Sequence, residues 1–102
     1  MFEEIKINID RVQYQLPQIL TNQTVSTWVA DTTYTDFPYK ATIAVTGVTS
    51  SDVAEVILSQ EQASSGNYAS VTNTTDGAIE IYSSVNTEII IPTIVIFKGG
   101  IV

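Results

Sequence analysis

The chain has 102 residues, with 11 Asp plus Glu against 4 Lys plus Arg, a net charge of −7, and neither His nor Cys. This length predicts one domain. The missing His and Cys exclude Ser-His-Asp and Cys-His catalysis, disulfides and thiolate metal sites. The negative charge argues against partners that need clustered Lys and Arg, namely nucleic acids and anionic membranes.

Residue composition favours β structure. The 14 Ile, 11 Val and 14 Thr far outnumber the 3 Leu, and β-branched side chains suit a pleated sheet better than a helix. We therefore predict a single all-β domain over residues 1–102, mainly an antiparallel β-sandwich with one short helix. Residues 1–20 could form an N-terminal arm. The start, MFEEIKINID, lacks the features of a signal peptide, and no apolar run reaches the ~18 residues of a membrane span.

The first third of the chain alternates only in places. Residues 5–9 alternate between isoleucine and polar residues, which predicts a half-buried strand. Residues 18–27 are polar and irregular and indicate a loop, although residues 27–30 could form a short strand. Residues 31–38, DTTYTDFP, are rich in turn-forming residues.

The middle of the chain gives the clearest pattern. Residues 39–58, YKATIAVTGVTSSDVAEVIL, predict a strand, a tight turn at Gly47 and a second strand, since glycine adopts a positive φ without steric cost. Residues 59–65, SQEQASS, predict a short helix that ends at Gly66. Gly99, by contrast, is predicted to lie in a frayed tail where a side chain is tolerated.

The last third is predicted as strands joined by turns. Residues 67–71 form a short strand or an irregular approach to one, and the Asp-Gly turn of residues 73–77 leads into an alternating strand at 78–83. After a short loop, residues 89–97, IIIPTIVIF, are apolar on both faces. Such a strand is typical of the centre of a sandwich or of a subunit interface, and its Pro92 indicates a bulge, an edge or a boundary.

Acidic residues are the main candidates for a catalytic or metal site. Two carboxylate pairs can be drawn, Asp52 with Glu55 and Glu80 with Glu88. Either could serve glycoside hydrolysis, but solvated acids of loops and strand faces explain them better. Two oxygen-rich clusters, residues 31–36 and 73–76, lack the spacing of a known calcium loop and are explained by turn chemistry. The sequence therefore predicts no enzyme, no catalytic residue, no cofactor and no metal.

Aromatic residues are the better functional candidates. Four fall within twelve positions and are the candidate ligand or interface residues: Trp28, Tyr34, Phe37 and Tyr39. Exposed rings on a β-sandwich stack against apolar sugar faces, so one hypothesis is a carbohydrate-binding module. The other hypothesis, favoured for so small a domain, is that the rings anchor the core or an oligomer interface. Trp28 in particular is predicted to be mostly buried against the sheet that contains Ile43 and Val45.

Several motifs follow one another in a characteristic order along residues 13–98. Trp28 stands eleven residues before Tyr39, which precedes ATIAVTGVTSSD; the segments SQEQASSG, DGAIEIYSS and EIIIPTIVIFK follow. This order resembles a small β-rich structural domain of tail, baseplate and fibre proteins of tailed phages and prophages of Gram-positive bacteria. Members often carry a proline in the loop before the last strand, whereas here Pro92 lies inside that strand.

The resemblance implies a phage virion structural protein that acts through protein–protein assembly, with a role in host attachment left open. It implies a homo-oligomer, with a trimer as the first expectation, in contact with other virion proteins, and host cell-surface polysaccharide is a further candidate partner. The expected location is the virion, after synthesis in the bacterial host cytoplasm. The resemblance carries over no catalytic residue, and the alternative function is the carbohydrate-binding module.

Overall fold

The computed structural model describes residues 16–99, which form seven β-strands and one short helix. In chain order these are β1 (Gln18–Val25), β2 (Val29–Tyr34), β3 (Phe37–Ala44), β4 (Val53–Ile57), α1 (Gln60–Ser65), β5 (Tyr68–Thr75), β6 (Ala78–Ser83) and β7 (Ile89–Phe97). The strand predicted at residues 5–9 lies outside the described residues.

The strands form two antiparallel sheets. Sheet A contains three strands in the order β1-β7-β4, and sheet B contains four strands in the order β2-β3-β6-β5. Buried apolar side chains of both sheets and of the β3–β4 connection form one core: Val25, Ala41, Val45, Val48, Ala54, Ile79, Ile81, Ile91, Ile94 and Ile96. Residues 16–99 therefore confirm the prediction of an all-β, sandwich-like fold with one short helix.

The isoleucine-rich strand β7 is the central strand of sheet A, as the apolar run predicted. Ile91, Ile94 and Ile96 are fully buried. β4 pairs with β7 only along residues 93–97. Pro92 has no N–H to donate and lies just beyond that ladder, so it marks the end of the part of β7 that pairs with β4, while β1 pairs with β7 on both sides of Pro92.

The segment around Gly47 crosses from one sheet to the other. β3 belongs to sheet B and β4 to sheet A, so the two strands do not pair with each other. Gly47 has a φ of 89°, as the predicted turn requires. Two hydrogen bonds hold the crossing to the β5–β6 hairpin: the Val45 amide donates to the Gly77 carbonyl (2.9 Å), and the Gly77 amide donates to the Val48 carbonyl (2.8 Å).

Helix α1 forms where it was predicted and begins with a capping box. The Ser59 hydroxyl accepts from the Gln62 backbone amide (3.2 Å), and the Gln62 side chain accepts from the Ser59 amide (3.1 Å). Gly66, with a φ of 72°, ends the helix in the left-handed conformation. Gln62 Nε2 also donates to the Ile90 carbonyl (2.8 Å), so the helix contacts β7 where β4 no longer pairs with it.

Two segments that were predicted as irregular are strands. The loop predicted at residues 18–27 is wrong, because β1 occupies most of it and pairs with β7 at the other end of the chain. Asn22 adopts a positive φ of 50°, which interrupts the alternation that would have revealed the strand. The turn predicted at residues 31–38 is limited to Thr35 and Asp36. The threonines and aromatics around it are good strand formers.

Threonine hydroxyls close one side of the sandwich, where β4 and β5 meet as edge strands of opposite sheets. Thr72 Oγ1 donates to the Ala54 carbonyl and Thr74 Oγ1 donates to the Asp52 carbonyl, both at 2.6 Å. Carbonyls at a sheet edge lack a main-chain partner. Here threonine hydroxyls of sheet B donate the hydrogen bonds that these carbonyls at the edge of sheet A would otherwise lack.

The end of the described chain is packed, which corrects the prediction for Gly99. Its amide donates to Asp52 Oδ1 at 2.9 Å. A Cβ atom on Gly99 would overlap the Ser51 carbonyl oxygen. The prediction that Gly99 tolerates a side chain is therefore wrong, because its backbone lies directly against the connection between β3 and β4.

Candidate functional site

The outer face of sheet A exposes five large apolar side chains. Ile94 and Ile96 point into the core, so Val95 and Phe97, which alternate with them, point outward. On the neighbouring strands, Ile19 pairs with Val95 and Val53 pairs with Phe97, so these side chains point outward as well. We call this surface the apolar face; it contains Ile19 (61% exposed), Val53 (64%), Ile57 (46%), Ile90 (53%) and Phe97 (47%).

The apolar face is nearly free of charge. Glu55, which pairs with Val95, is the one charged side chain on it among the described strands. Thr21 and Thr93 add hydroxyls between the apolar side chains. The five large residues together expose on the order of 500 Å², which is near the upper end of the apolar patches that monomers tolerate. The largest apolar patch of a monomer is often functional, and an interface is one such function.

The outer face of sheet B is ionic. Lys40 Nζ lies 3.5 Å from Asp31 Oδ2 and 3.2 Å from Glu80 Oε2. Hydrogen bonding to Glu80 raises the pKa of Lys40, and hydrogen bonds from Thr33 lower the pKa of Asp31. Each charge on this surface, which we call the ionic face, therefore has a partner within the chain.

Two tyrosines pack on each other beside the ionic face. Tyr34 and Tyr82 meet edge to face, with ring centroids 4.7 Å apart. Tyr82 is buried, which raises the pKa of its phenol, and its hydroxyl accepts from Asn73 Nδ2 at 2.7 Å. Tyr34 is therefore fixed by a ring that is itself held in place.

The four aromatic residues singled out from the sequence do not form one cluster. Tyr34 and Phe37 face each other across the β2–β3 turn. Tyr39 is partly buried on β3, where it pairs with Ser83. Trp28 is half-buried and packs against the core, as do Ile43 and the buried Val45, so it is less buried than predicted. Its Nε1 donates to the Thr87 carbonyl at 2.9 Å.

A groove joins part of this aromatic set to a residue that the sequence did not indicate. One wall comes from the β2–β3 hairpin and the other from the start of β5. We call it the aromatic groove; its main lining residues are Thr33, Tyr34, Asp36, Phe37, Tyr68 and Ser70, and its volume is about 620 Å³. Tyr68 was missed because it lies far along the chain, on the edge strand of sheet B opposite to β2, and only the folded chain brings it to the same groove as Tyr34 and Phe37.

Asp52 belongs to a buried ionic cluster and is not the solvated loop acid that its sequence context suggested. It is 4% exposed. Its Oδ2 accepts from Lys98 Nζ (2.6 Å) and the Thr49 amide (2.9 Å), and its Oδ1 accepts from the Gly99 amide. Lys98 Nζ also donates to the Gly47 carbonyl at 2.7 Å. The hydrogen bond from Lys98, followed by those from the two amides, lowers the pKa of Asp52 to about 2.

The remaining acidic candidates also have local partners or lie apart. Glu55 is exposed on the apolar face, so Asp52 and Glu55 do not share an environment. Asp31 Oδ1 accepts from the Thr33 amide (2.8 Å), a local side-chain contact at the irregularity of β2 between Ala30 and Tyr34. Asp76 Oδ1 accepts from the Ser50 amide (3.3 Å). The contact of Asp76 links the β3–β4 crossing to the β5–β6 hairpin.

Comparison with known proteins does not identify the chain: no protein family, curated protein or solved structure matches it. No helix within residues 16–99 is long and apolar enough to cross a membrane. In the same part of the chain, no three acidic side chains lie together in a way that could hold a metal ion. The function is therefore inferred from the surfaces of the fold.

Proposed function

We propose that this protein is a virion structural component of a phage tail, baseplate or fibre, and that it acts by self-association through the apolar face. The exposure of five large apolar side chains on one side of sheet A carries the assembly role. The order and spacing of the sequence motifs support the phage setting. Flanking genes for a tape measure protein, a holin or a lysin would support it further.

The partner of the apolar face is a second copy of the same chain. A stable interface buries about 800 Å² per partner, so the contact would include polar side chains around the apolar face as well. Each chain carries a net charge of −7. Contact through a face with one acidic side chain keeps most of these like charges apart. Two such faces can pack as the sheets of a sandwich do, about 10 Å apart.

The number of chains in the oligomer depends on the symmetry with which the apolar faces pack against each other. The resemblance makes a trimer the first expectation, with three faces around a threefold axis. A face-to-face dimer is the other closed arrangement. Either one removes the apolar face from water, which contributes about 25 cal/mol per Å² of apolar surface.

A matched pair of valine variants tests self-association. Val53 lies on the apolar face, whereas Val29 is 51% exposed on the outer face of sheet B. We expect the wild-type chain to scatter light as an oligomer at micromolar concentration. Val53→Glu should weaken association at least ~10-fold, because it places a charge in the contact, whereas Val29→Glu should leave association unchanged. Circular dichroism of both variants controls for folding.

Three outcomes would contradict this proposal. A single 11.1 kDa species at micromolar concentration would show that the wild-type chain does not self-associate. If that monomer also failed to bind the dye ANS, the apolar face would not be exposed in solution, and it would then carry no interface. Dissociation by Val29→Glu but not by Val53→Glu would place the interface on sheet B.

A further inference from the structure

The aromatic groove is an open groove with the volume of a ligand site, and it shares no residue with the apolar face. Its volume of about 620 Å³ lies in the range of roughly 300–1,000 Å³ that small-molecule sites occupy. We propose that the aromatic groove binds a segment of a neutral polysaccharide. This binding does not depend on self-association, so each can fail without the other.

The rings of the groove are held in place before any ligand arrives. Tyr34 packs edge to face on the buried Tyr82. Tyr68 lies 6.5 Å, between ring centroids, from Trp28, which is anchored through the Thr87 carbonyl. A site whose side chains are already ordered loses little conformational entropy on binding. Weak sugar–ring contacts therefore suffice for measurable affinity.

The groove offers both kinds of contact that a sugar ring makes. Tyr34, Phe37 and Tyr68 supply apolar ring surface against which the C–H face of a sugar stacks. Thr33 and Ser70 supply hydroxyls, and the exposed Asp36 supplies a carboxylate that accepts hydrogen bonds from neighbouring sugar hydroxyls. Sugars present an apolar face and a rim of hydroxyls, which match this lining.

The negative charge of the aromatic groove favours neutral polysaccharides over anionic ones. The residues that line the groove include Asp36 and no Lys or Arg. The chain as a whole carries a net charge of −7. Uronic acids, sulfated sugars and polyol phosphates would therefore approach against a repulsive field and find no cation to pair with.

The backbone around the groove argues against a peptide ligand. Extended peptides bind by adding a strand to a regular sheet edge. β2 and β5 are the edge strands of sheet B, and both are irregular beside the groove, with register shifts between Ala30 and Tyr34 and between Tyr68 and Thr72. An edge interrupted in this way does not present the ladder of main-chain groups that a peptide strand needs.

Two phenylalanine variants separate this site from the assembly surface. Phe37 lies in the groove and Phe97 on the apolar face. The probes are hexasaccharides of β-1,4-glucose, α-1,4-glucose and β-1,4-N-acetylglucosamine, with oligogalacturonate as the anionic comparison. The readouts are titration calorimetry and the emission of Trp28, the single tryptophan, whose ring lies beside Tyr68.

We expect at least one neutral hexasaccharide to bind with a Kd on the order of 100 μM. Phe37→Ala should weaken that binding at least ~10-fold and leave the oligomer intact, whereas Phe97→Ala should weaken the oligomer and leave sugar binding intact. Asp36→Asn, a substitution in an exposed turn, should weaken binding several-fold and serves as the second groove variant if Phe37→Ala does not fold.

Several results would overturn the proposal. These are the absence of binding by every neutral hexasaccharide, equal binding by oligogalacturonate, or binding that neither Phe37→Ala nor Asp36→Asn reduces. A shift in Trp28 emission caused by a panel of random extended peptides, and lost in the groove variants, would assign the site to a peptide. Loss of sugar binding in Phe97→Ala would place the ligand on the apolar face.

Discussion

The two outer faces of the sandwich differ in chemistry although alternating strands build both. On sheet B the ionic face satisfies its own charges, because Lys40 contacts both Asp31 and Glu80. On sheet A the apolar face leaves five large side chains exposed to solvent. A β-sandwich needs only its inner faces to be apolar. Within residues 16–99 nothing covers the second apolar face, and the proposed self-association would cover it.

The difference between the faces is clear in the outward side chains of β6 and β7. β6 alternates between the buried Ile79 and Ile81 and the outward Glu80, so its outer side carries charge. β7 places Ile94 and Ile96 in the core, and its outward side chains are also mostly apolar. β7 supplies Ile90 and Phe97, and the flanking strands β1 and β4 add Ile19, Val53 and Ile57, so all three strands of sheet A build the apolar face.

The largest decrease in Tm is expected when a substitution at Gly99 disrupts the packing of the segment that follows β7. Gly99→Val should lower Tm by about 10 °C. Its side chain either overlaps the Ser51 carbonyl or pushes the chain end away and removes the Gly99 amide from Asp52. Thermal melts would measure this, with Gly47→Val as the comparison, since Gly47 has open space around it and is restricted by its φ of 89° alone. A Gly99→Val melt within about 2 °C of wild type would show that sheet A does not depend on this contact.

An intermediate decrease in Tm, which depends on pH, is expected when Asp52 is replaced by asparagine. The pKa of Asp52 is lowered from 3.8 to about 2 in the folded chain. Its carboxylate therefore stabilises the fold above about pH 4, and this contribution is lost as pH falls from about 4 to about 2. Asp52→Asn should lower Tm at pH 7 and should show a smaller further loss than wild type over that acidic range.

The control for Asp52 is Glu55→Gln. Glu55 lies three residues further along on the apolar face, so this variant removes the same charge without touching the buried cluster. Differential scanning fluorimetry from pH 2 to pH 7 compares the three proteins. Parallel curves for wild type and Asp52→Asn would show that other carboxylates cause the acid loss.

Local chemistry made part of this fold predictable from the sequence. The capping residues Ser59 and Gly66 delimit α1, and Gly47 marks the crossing between the sheets. β6 was recognised because its alternation is unbroken, and β7 because it is apolar on both sides. Each of these signals depends on residues that are neighbours in sequence.

Long-range pairing made the rest unpredictable. β1 is a polar edge strand whose alternation is interrupted at Asn22, and its pairing with β7 stabilises it. The aromatic groove combines Tyr34 and Phe37 with Tyr68 from another hairpin, and no local pattern indicates that combination. Asp52 resembled a loop acid because Lys98, its partner, stands at the other end of the chain.

The smallest change in Tm is expected from substitutions on the ionic face. Comparing Lys40 with Lys98 tests this expectation. Lys40 pairs with two carboxylates that are themselves partly exposed, whereas Lys98 pairs with the buried Asp52. Exposed ion pairs contribute little to stability because solvent screens them. Lys40→Met should therefore change Tm by no more than about 3 °C, whereas Lys98→Met should lower it further by leaving a buried carboxylate unpaired. The pKa of Lys40 is raised by Glu80, so its small contribution should persist from neutral pH until it is lost above about pH 10. Thermal melts at pH 7 in low and high salt compare the two variants. Equal decreases in Tm for the two variants would mean that the ionic face stabilises the fold as much as the buried cluster does. The two outer faces would then differ only in their proposed role in self-association.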